Sequence, residues 1–429
     1  MAATTHTIEV ARPKPGPKPE LVSARLIRSL VHPARQANVV IVRYSADGSR
    51  LFTAGYPSGV LQFWDVTSGK ELRRIETPAG YRGSADYAEL PADWSTAYVP
   101  WEKRKVVRVE RNGKRDYRIE YDGGVLVYDA ASGRERPGLK PAHGHSVVTA
   151  RVSPDGSRLV ALERPSADHD QRPKDSVVLW DTHKASSRPI GQGYPMAAFT
   201  ADSKQVVLAL IEHNPEGGFL KLLDAEGNEL AKLAQVEGEH FTSPVLSPDG
   251  KRVVAEESKG RIDKPAVLRV WDLETRKEVA SFASGGKYPF LYTAWSPDGN
   301  RLAATDYDGG VRVWDVATTR LVMERRFGSK MWVHHVAFSP DGRRLAVNAQ
   351  QKSDERSLEP DPADMPQPRV YMFDLANVGA EPETIICPHG YVGGLAFAPD
   401  GRTLAVGGAG AVHLFDMTEG RAPGPQVAR

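Results

Sequence analysis

Four times along this chain of 429 residues an apolar run ends in Ser-Pro-Asp-Gly, at Ser153–Gly156, Ser247–Gly250, Ser296–Gly299 and Ser339–Gly342. Degenerate copies stand at Ser45-Ala46-Asp47-Gly48, Thr200-Ala201-Asp202-Ser203 and Ala398-Pro399-Asp400-Gly401, and Pro91-Ala92-Asp93-Trp94 is a weaker eighth. A second apolar run follows each copy. The residue types are those of a hairpin turn. Proline presets φ at the first turning position, Asp bonds back to the local backbone, and Gly takes the left-handed conformation that follows. Gly299 and Gly342 are therefore expected at positive φ.

A second mark follows every turn: Trp64-Asp65, Tyr128-Asp129, Trp180-Asp181, Leu223-Asp224, Trp271-Asp272, Trp314-Asp315, Phe373-Asp374 and Phe415-Asp416. These aspartates lie 64, 52, 43, 48, 43, 59 and 42 residues apart. The run before each alternates with period two, as in GVRVWD, which is the pattern of a strand in a small sheet. Each unit thus reads as four strands. Internal repetition of this length signals a solenoid or a propeller.

On these marks the sequence resembles the WD-repeat family of β-propellers, over residues 20–419. The resemblance implies an all-β, eight-bladed β-propeller of four-stranded antiparallel blades. Seven blades plus a degenerate hairpin is the alternative, because the second unit matches worst. Little strand-forming sequence follows Asp416, whereas the segment from Leu21 to Leu30 is apolar and precedes the first turn. In the family an N-terminal strand commonly closes the last blade, and this segment fits that role. Residues 1–19 read as a disordered Pro/Lys-rich tail and 420–429 as a C-terminal tail.

Well-formed repeats of the family bury a hydrogen-bonded tetrad of His, Ser or Thr, Asp and Trp. Here it is mostly lost. His143, Asp122 and Asp308 stand near the expected spacings, while Ser58 and Ala409 replace the Asp in the first and last units. Apolar packing through residues such as Leu302, Val313 and Leu345 is expected to hold the blades together.

Two features mark one end of the ring. The connections entering the first strands each carry an aromatic: Tyr81, Tyr194, Phe241, Tyr288, Trp332 and Tyr391. They form either a collar that receives a partner or wedges between blades. Several second-to-third-strand connections are also long. The one in unit two, WEKRKVVRVERNGKRDYRIEYDGG, carries the hairpin signal Asn112-Gly113 between alternating residues. It predicts a projecting ribbon with eight basic and five acidic residues from Glu102 to Asp122. Unit seven inserts an acidic, proline-rich segment, and units three and five carry shorter insertions. Loops of this size in a compact fold tend to be functional. The candidate partner-binding residues are Tyr194, Tyr288, Trp332 and Tyr391 in the collar and Trp101, Arg108 and Arg118 on the ribbon.

Chemistry is harder to find. No Gly-x-Ser-x-Gly elbow, P-loop or dinucleotide fingerprint is present. His334 and His335, adjacent on an alternating strand, are expected to face opposite ways and so not to share a metal ion. Lone Cys387 excludes a disulfide framework and a cysteine-based zinc cage within one chain. With 56 basic against 54 acidic residues, the net charge of +2 calls for neither nucleic acid nor an anionic membrane. No apolar run suits a signal peptide or a membrane span. The expectation is a monomeric, cytoplasmic, non-catalytic scaffold for a protein or peptide partner, without cofactor or metal. A channel-mouth hydrolase or lyase is the competing class, and a structural subunit of a larger assembly is a third.

Overall fold

The computed structural model describes residues 24–418 except 34–37, 57, 79–87, 112–113, 169–174, 212–216, 238, 259–265, 286–288, 329, 352–367 and 389–391. The described residues are all-β and form eight antiparallel sheets around a ring. Blade one comprises Asn38–Tyr44, Arg50–Tyr56, Val60–Asp65 and Glu71–Glu76, paired in that order from the channel outward. Blades three to seven repeat the plan. In blade eight the strands Val392–Phe397, Thr403–Gly408 and Ala411–Asp416 are completed by Leu26–Val31, which pairs with Ala411–Phe415. The N-terminal strand therefore closes the ring, and the seven-blade alternative falls.

The turns form as their residues dictate. Ser296 Oγ donates to Asp298 Oδ1 at 2.5 Å and accepts from the Arg301 amide at 2.8 Å, while Asp298 also accepts from Asn300 N at 3.0 Å. Gly299 and Gly342 have φ of 68° and 67°. At the weakest copy Trp94 itself takes the glycine's left-handed place, with φ 57°. Its ring meets Phe52 and Phe63 edge-on at 6.2 Å in the core of blades one and two. That burial offsets an unfavourable backbone.

The core is a set of wedges between neighbouring blades. Between blades five and six Val254, Leu268 and Val270 meet Leu302, Ala304 and Trp314. Between blades eight and one Leu30, Val412 and Leu414 meet Val39, Leu51 and Trp64. Leu302, Val313 and Leu345 are fully buried, as expected. Each such side chain contributes about 1.5–3 kcal/mol over its exposed state.

The tetrad positions differ from expectation in instructive ways. In blade one it survives as two halves: Trp64 Nε1 donates to Thr53 Oγ1 at 3.0 Å, and His32 Nε2 lies 3.4 Å from Ser58 Oγ. His32 is set between Val31 and Pro33 rather than after a glycine, which hides it from the motif. In blade six Asp308 turns outward to Arg326 at 3.8 Å, and Asp306 goes inside instead. Asp306 accepts from Gly310 N and pairs with Arg312 at 2.7 Å, both side chains being almost fully buried. A buried carboxylate–guanidinium pair replaces the tetrad there. His143 is exposed.

Candidate partner-binding face

Antiparallel topology places the Ser-Pro-Asp-Gly turns and the turns after each aromatic-Asp at one end of the ring. The blade-to-blade connections and the insertions lie at the other. The unit-two insertion is indeed a ribbon. Thr96–Arg111 pairs with Lys114–Asp129 in unbroken register, from Thr96 opposite Asp129 to Arg111 opposite Lys114. Beyond the blade it extends about 30 Å, at about 3.4 Å per residue.

The ribbon is braced. Ala167–Asp168, from the blade-three insertion, pairs with Ile119 and Arg118. The Tyr121 amide donates to Ser166 Oγ at 2.7 Å, and the Arg164 guanidinium sits 5.9 Å from the centre of the Tyr121 ring. Arg164 is in turn held by Asp175 at 3.2 Å. The two insertions, far apart in sequence, form one structure.

Register sorts the ribbon's side chains. Arg104, Val106 and Arg108 stand opposite Tyr121, Ile119 and Tyr117 and share one face with them. Lys103 and Lys105 stand opposite Asp122 and Glu120 on the other face. Val106 is 54% exposed and Tyr117 45%, with Arg104 and Arg108 exposed beside them. Arg108 and Arg118, both candidate partner-binding residues, are exposed but lie on opposite faces. Trp101 corrects the expectation of a reachable anchor. At 8% exposure it is packed with Leu126 and Tyr128 at the ribbon's root, where Gly124 opposite leaves it room.

Within the collar, Tyr81, Tyr288 and Tyr391 lie outside the described residues, as does most of the acidic blade-seven insertion. Tyr194 begins the strand Tyr194–Phe199, and only its backbone is described. Phe241 is a wedge, 1% exposed and edge-on to Trp271 at 5.6 Å. Phe290, which the loop pattern did not single out, does the same against Trp314 at 6.0 Å. Both stand six residues before the turn serine, where blades one, three and seven bury Val39, Val147 and Val333. That shared offset was a signal available in the sequence.

Trp332 is half-buried and lies edge-on to His334, with ring centres 5.8 Å apart. Here the expected alternation fails. The register shifts between Val333 and Val336, and this bulge brings both imidazoles to Tyr292 of blade six, His335 at 4.2 Å and His334 at 6.4 Å. Burial lowers the His334 pKa. Burial, reinforced by His334, lowers that of His335 to about 4, so both rings are neutral at pH 7. Among the described residues no three His, Cys, Asp or Glu side chains gather as metal ligands would.

The fold is an eight-bladed β-propeller, and parts of the sequence are similar to a known repeat family. The family described as WD domain, G-beta repeat matches residues 289–315, in blade six, and 380–416, from the end of blade seven through blade eight. The solved C-terminal WD40 domain of Sif2 superposes with a TM-score of 0.61 at 13% identity, covering 94% of this chain and 99% of that one. At that identity the likeness concerns the fold. No curated protein matches the sequence.

Proposed function

We propose that this protein is a non-catalytic scaffold that captures a protein or peptide partner on its loop-bearing end, in the cytoplasm. One observation carries the reading: the blade-two ribbon presents Val106 and Tyr117 to solvent between Arg104 and Arg108, on a projection braced by blade three. Exposed aromatic and apolar groups flanked by arginine have the composition of binding hot spots. A pre-braced ribbon loses little ordering entropy when a partner docks. WD40 propellers generally serve as interaction scaffolds, which agrees with this reading.

The test compares affinity capture by the intact protein and by a form in which residues 102–122 are replaced with a two-residue turn. Partners specific to the intact form, lost again with Arg108→Glu, support the scaffold. Identical captured sets would sink it.

A second reading, a subunit of a larger assembly, is favoured by the closing strand, where Leu26, Ile27 and Val31 are all exposed. Light scattering of the purified protein at increasing concentration tests it. A monomer mass throughout rules out self-assembly through that strand.

A further inference from the structure

We infer that the edge of the ribbon's first strand along which no described strand pairs takes up an extended acidic peptide as an added strand, an inference that rests on the scaffold reading above. The two edges of the ribbon differ. The outer edge of Lys114–Asp129 is covered, by Ala167–Asp168 opposite Ile119 and Arg118 and by Glu135–Leu139 lower down. Along Lys103–Arg111, in contrast, no described strand pairs on the side away from Lys114–Asp129. An edge of this kind offers backbone donors and acceptors in register.

Charge then selects the occupant. From Lys103 to Arg108 the edge reads KRKVVR, with no acid. The lysines already face carboxylates across the ribbon, Lys103 with Asp122 and Lys105 with Glu120. Arg104 and Arg108 face Tyr121 and Tyr117 instead, so their cross-strand partners leave their charge unmatched. A second copy of the chain would set like charges against each other, the arrangement by which natural edge strands repel their own kind. An acidic partner strand does the reverse. Its residues beside Arg104, Val106 and Arg108 would be acid, apolar and acid at every second position, the two acids about 13 Å apart. The ligand is therefore an extended segment of the form acid-x-apolar-x-acid.

The experiment uses the full chain and a fluorescent, capped nine-residue peptide with Asp at its third and seventh positions, Ile at its fifth and Thr elsewhere. Anisotropy should show saturable binding that weakens with salt. Arg104→Glu and Arg108→Glu should each weaken it about tenfold or more, with melting temperature unchanged because both side chains are exposed. Two further peptides carry backbone N-methyl groups on the odd or on the even residues. Strand addition uses only one set of amides, so one peptide should lose binding and the other keep it. Equal behaviour of the two, or a scrambled peptide of the same composition binding as well, overturns strand addition. If ribbon-dependent capture persists while the peptide fails, the scaffold stands and this inference alone is lost. If capture ignores the ribbon, the scaffold reading itself has failed.

Discussion

Glu89 of blade two accepts a hydrogen bond from Arg151 of blade three, and Arg43 of blade one lies 3.7 Å from the same carboxylate oxygen. Three consecutive blades thus meet through one buried acid at the turn end of the channel. The other five carry Ala198, Val245, Ala294, Ala337 and Ala396 at the corresponding position, two residues before the turn. Among the described residues of blade two the innermost position is represented by an isolated bridge, in which Glu89 and Tyr98 exchange both backbone hydrogen bonds at 2.9 Å. Glu89→Ala should therefore destabilise the protein more than Arg43→Ala does. The expected loss is about 1–2 kcal/mol, kept modest because both arginines are half exposed. Equal effects in urea denaturation would show that the arc does not hold blade two.

Glu256 gives a pH-dependent prediction. It is buried, accepts weakly from Thr242 Oγ1 at 3.4 Å, and burial raises its pKa to about 7. The folded state therefore holds a proton that the unfolded chain gives up at lower pH. This contribution to stability is complete below about pH 4.5 and is lost as pH rises through about 7. Glu256→Gln should stabilise the fold above pH 7, by on the order of 2 kcal/mol and read as a higher melting temperature, and lose that advantage by pH 4.5. A gap independent of pH would mean that Glu256 is ionised at neutral pH in the fold.

Backbone strain can be relieved at Thr319. It sits at φ 58° in the turn after Asp315, where blades one and two place Gly69 and Gly133 at 70°. A β-branched residue is a poor occupant of that conformation. Thr319→Gly should stabilise by about 0.5–1 kcal/mol, whereas Gly299→Val should cost at least about 1 kcal/mol, since a Cβ there also meets the Arg252 guanidinium at 3.0 Å. Calorimetric melting temperatures moving in the same direction for both would refute this account.

Closure is tested by truncation. Removing residues 1–19 should leave melting unchanged, while removing 1–33 deletes the outer strand of blade eight and the Leu30 contact with blade one. The second form should melt far lower or fail to fold. Equal melting temperatures would mean that the ring does not depend on Leu26–Val31.

The repeat was legible in the sequence because its marks are local: a turn needs its Ser, Asp and Gly within four residues, and a strand shows its period within six. Ring closure and the ribbon followed from what the marks left over. What stayed hidden depends on neighbours distant in sequence. Trp101 looked like part of the projection because nothing nearby shows that Phe52 and Leu61 of blade one lie in the same apolar cluster. The His334–His335 pair was misread because a bulge breaks the alternation that strand sequences otherwise announce. Ser166 bracing Tyr121 joins two insertions that have no common motif, so only folding brings them together.

The two ends of the ring also meet in a way that fixes how the protein can be mounted. The Asp416 amide donates to the Arg25 carbonyl at 2.8 Å, so entering and leaving chain share the turn end of blade eight. The ribbon projects from the opposite end. Whatever precedes or follows the ring is therefore attached at its back. A propeller tethered through either terminus to a surface or a larger chain would hold its ribbon outward, like a dish on a stalk. The closure strand itself thus sets which end of the ring faces away from the attachment.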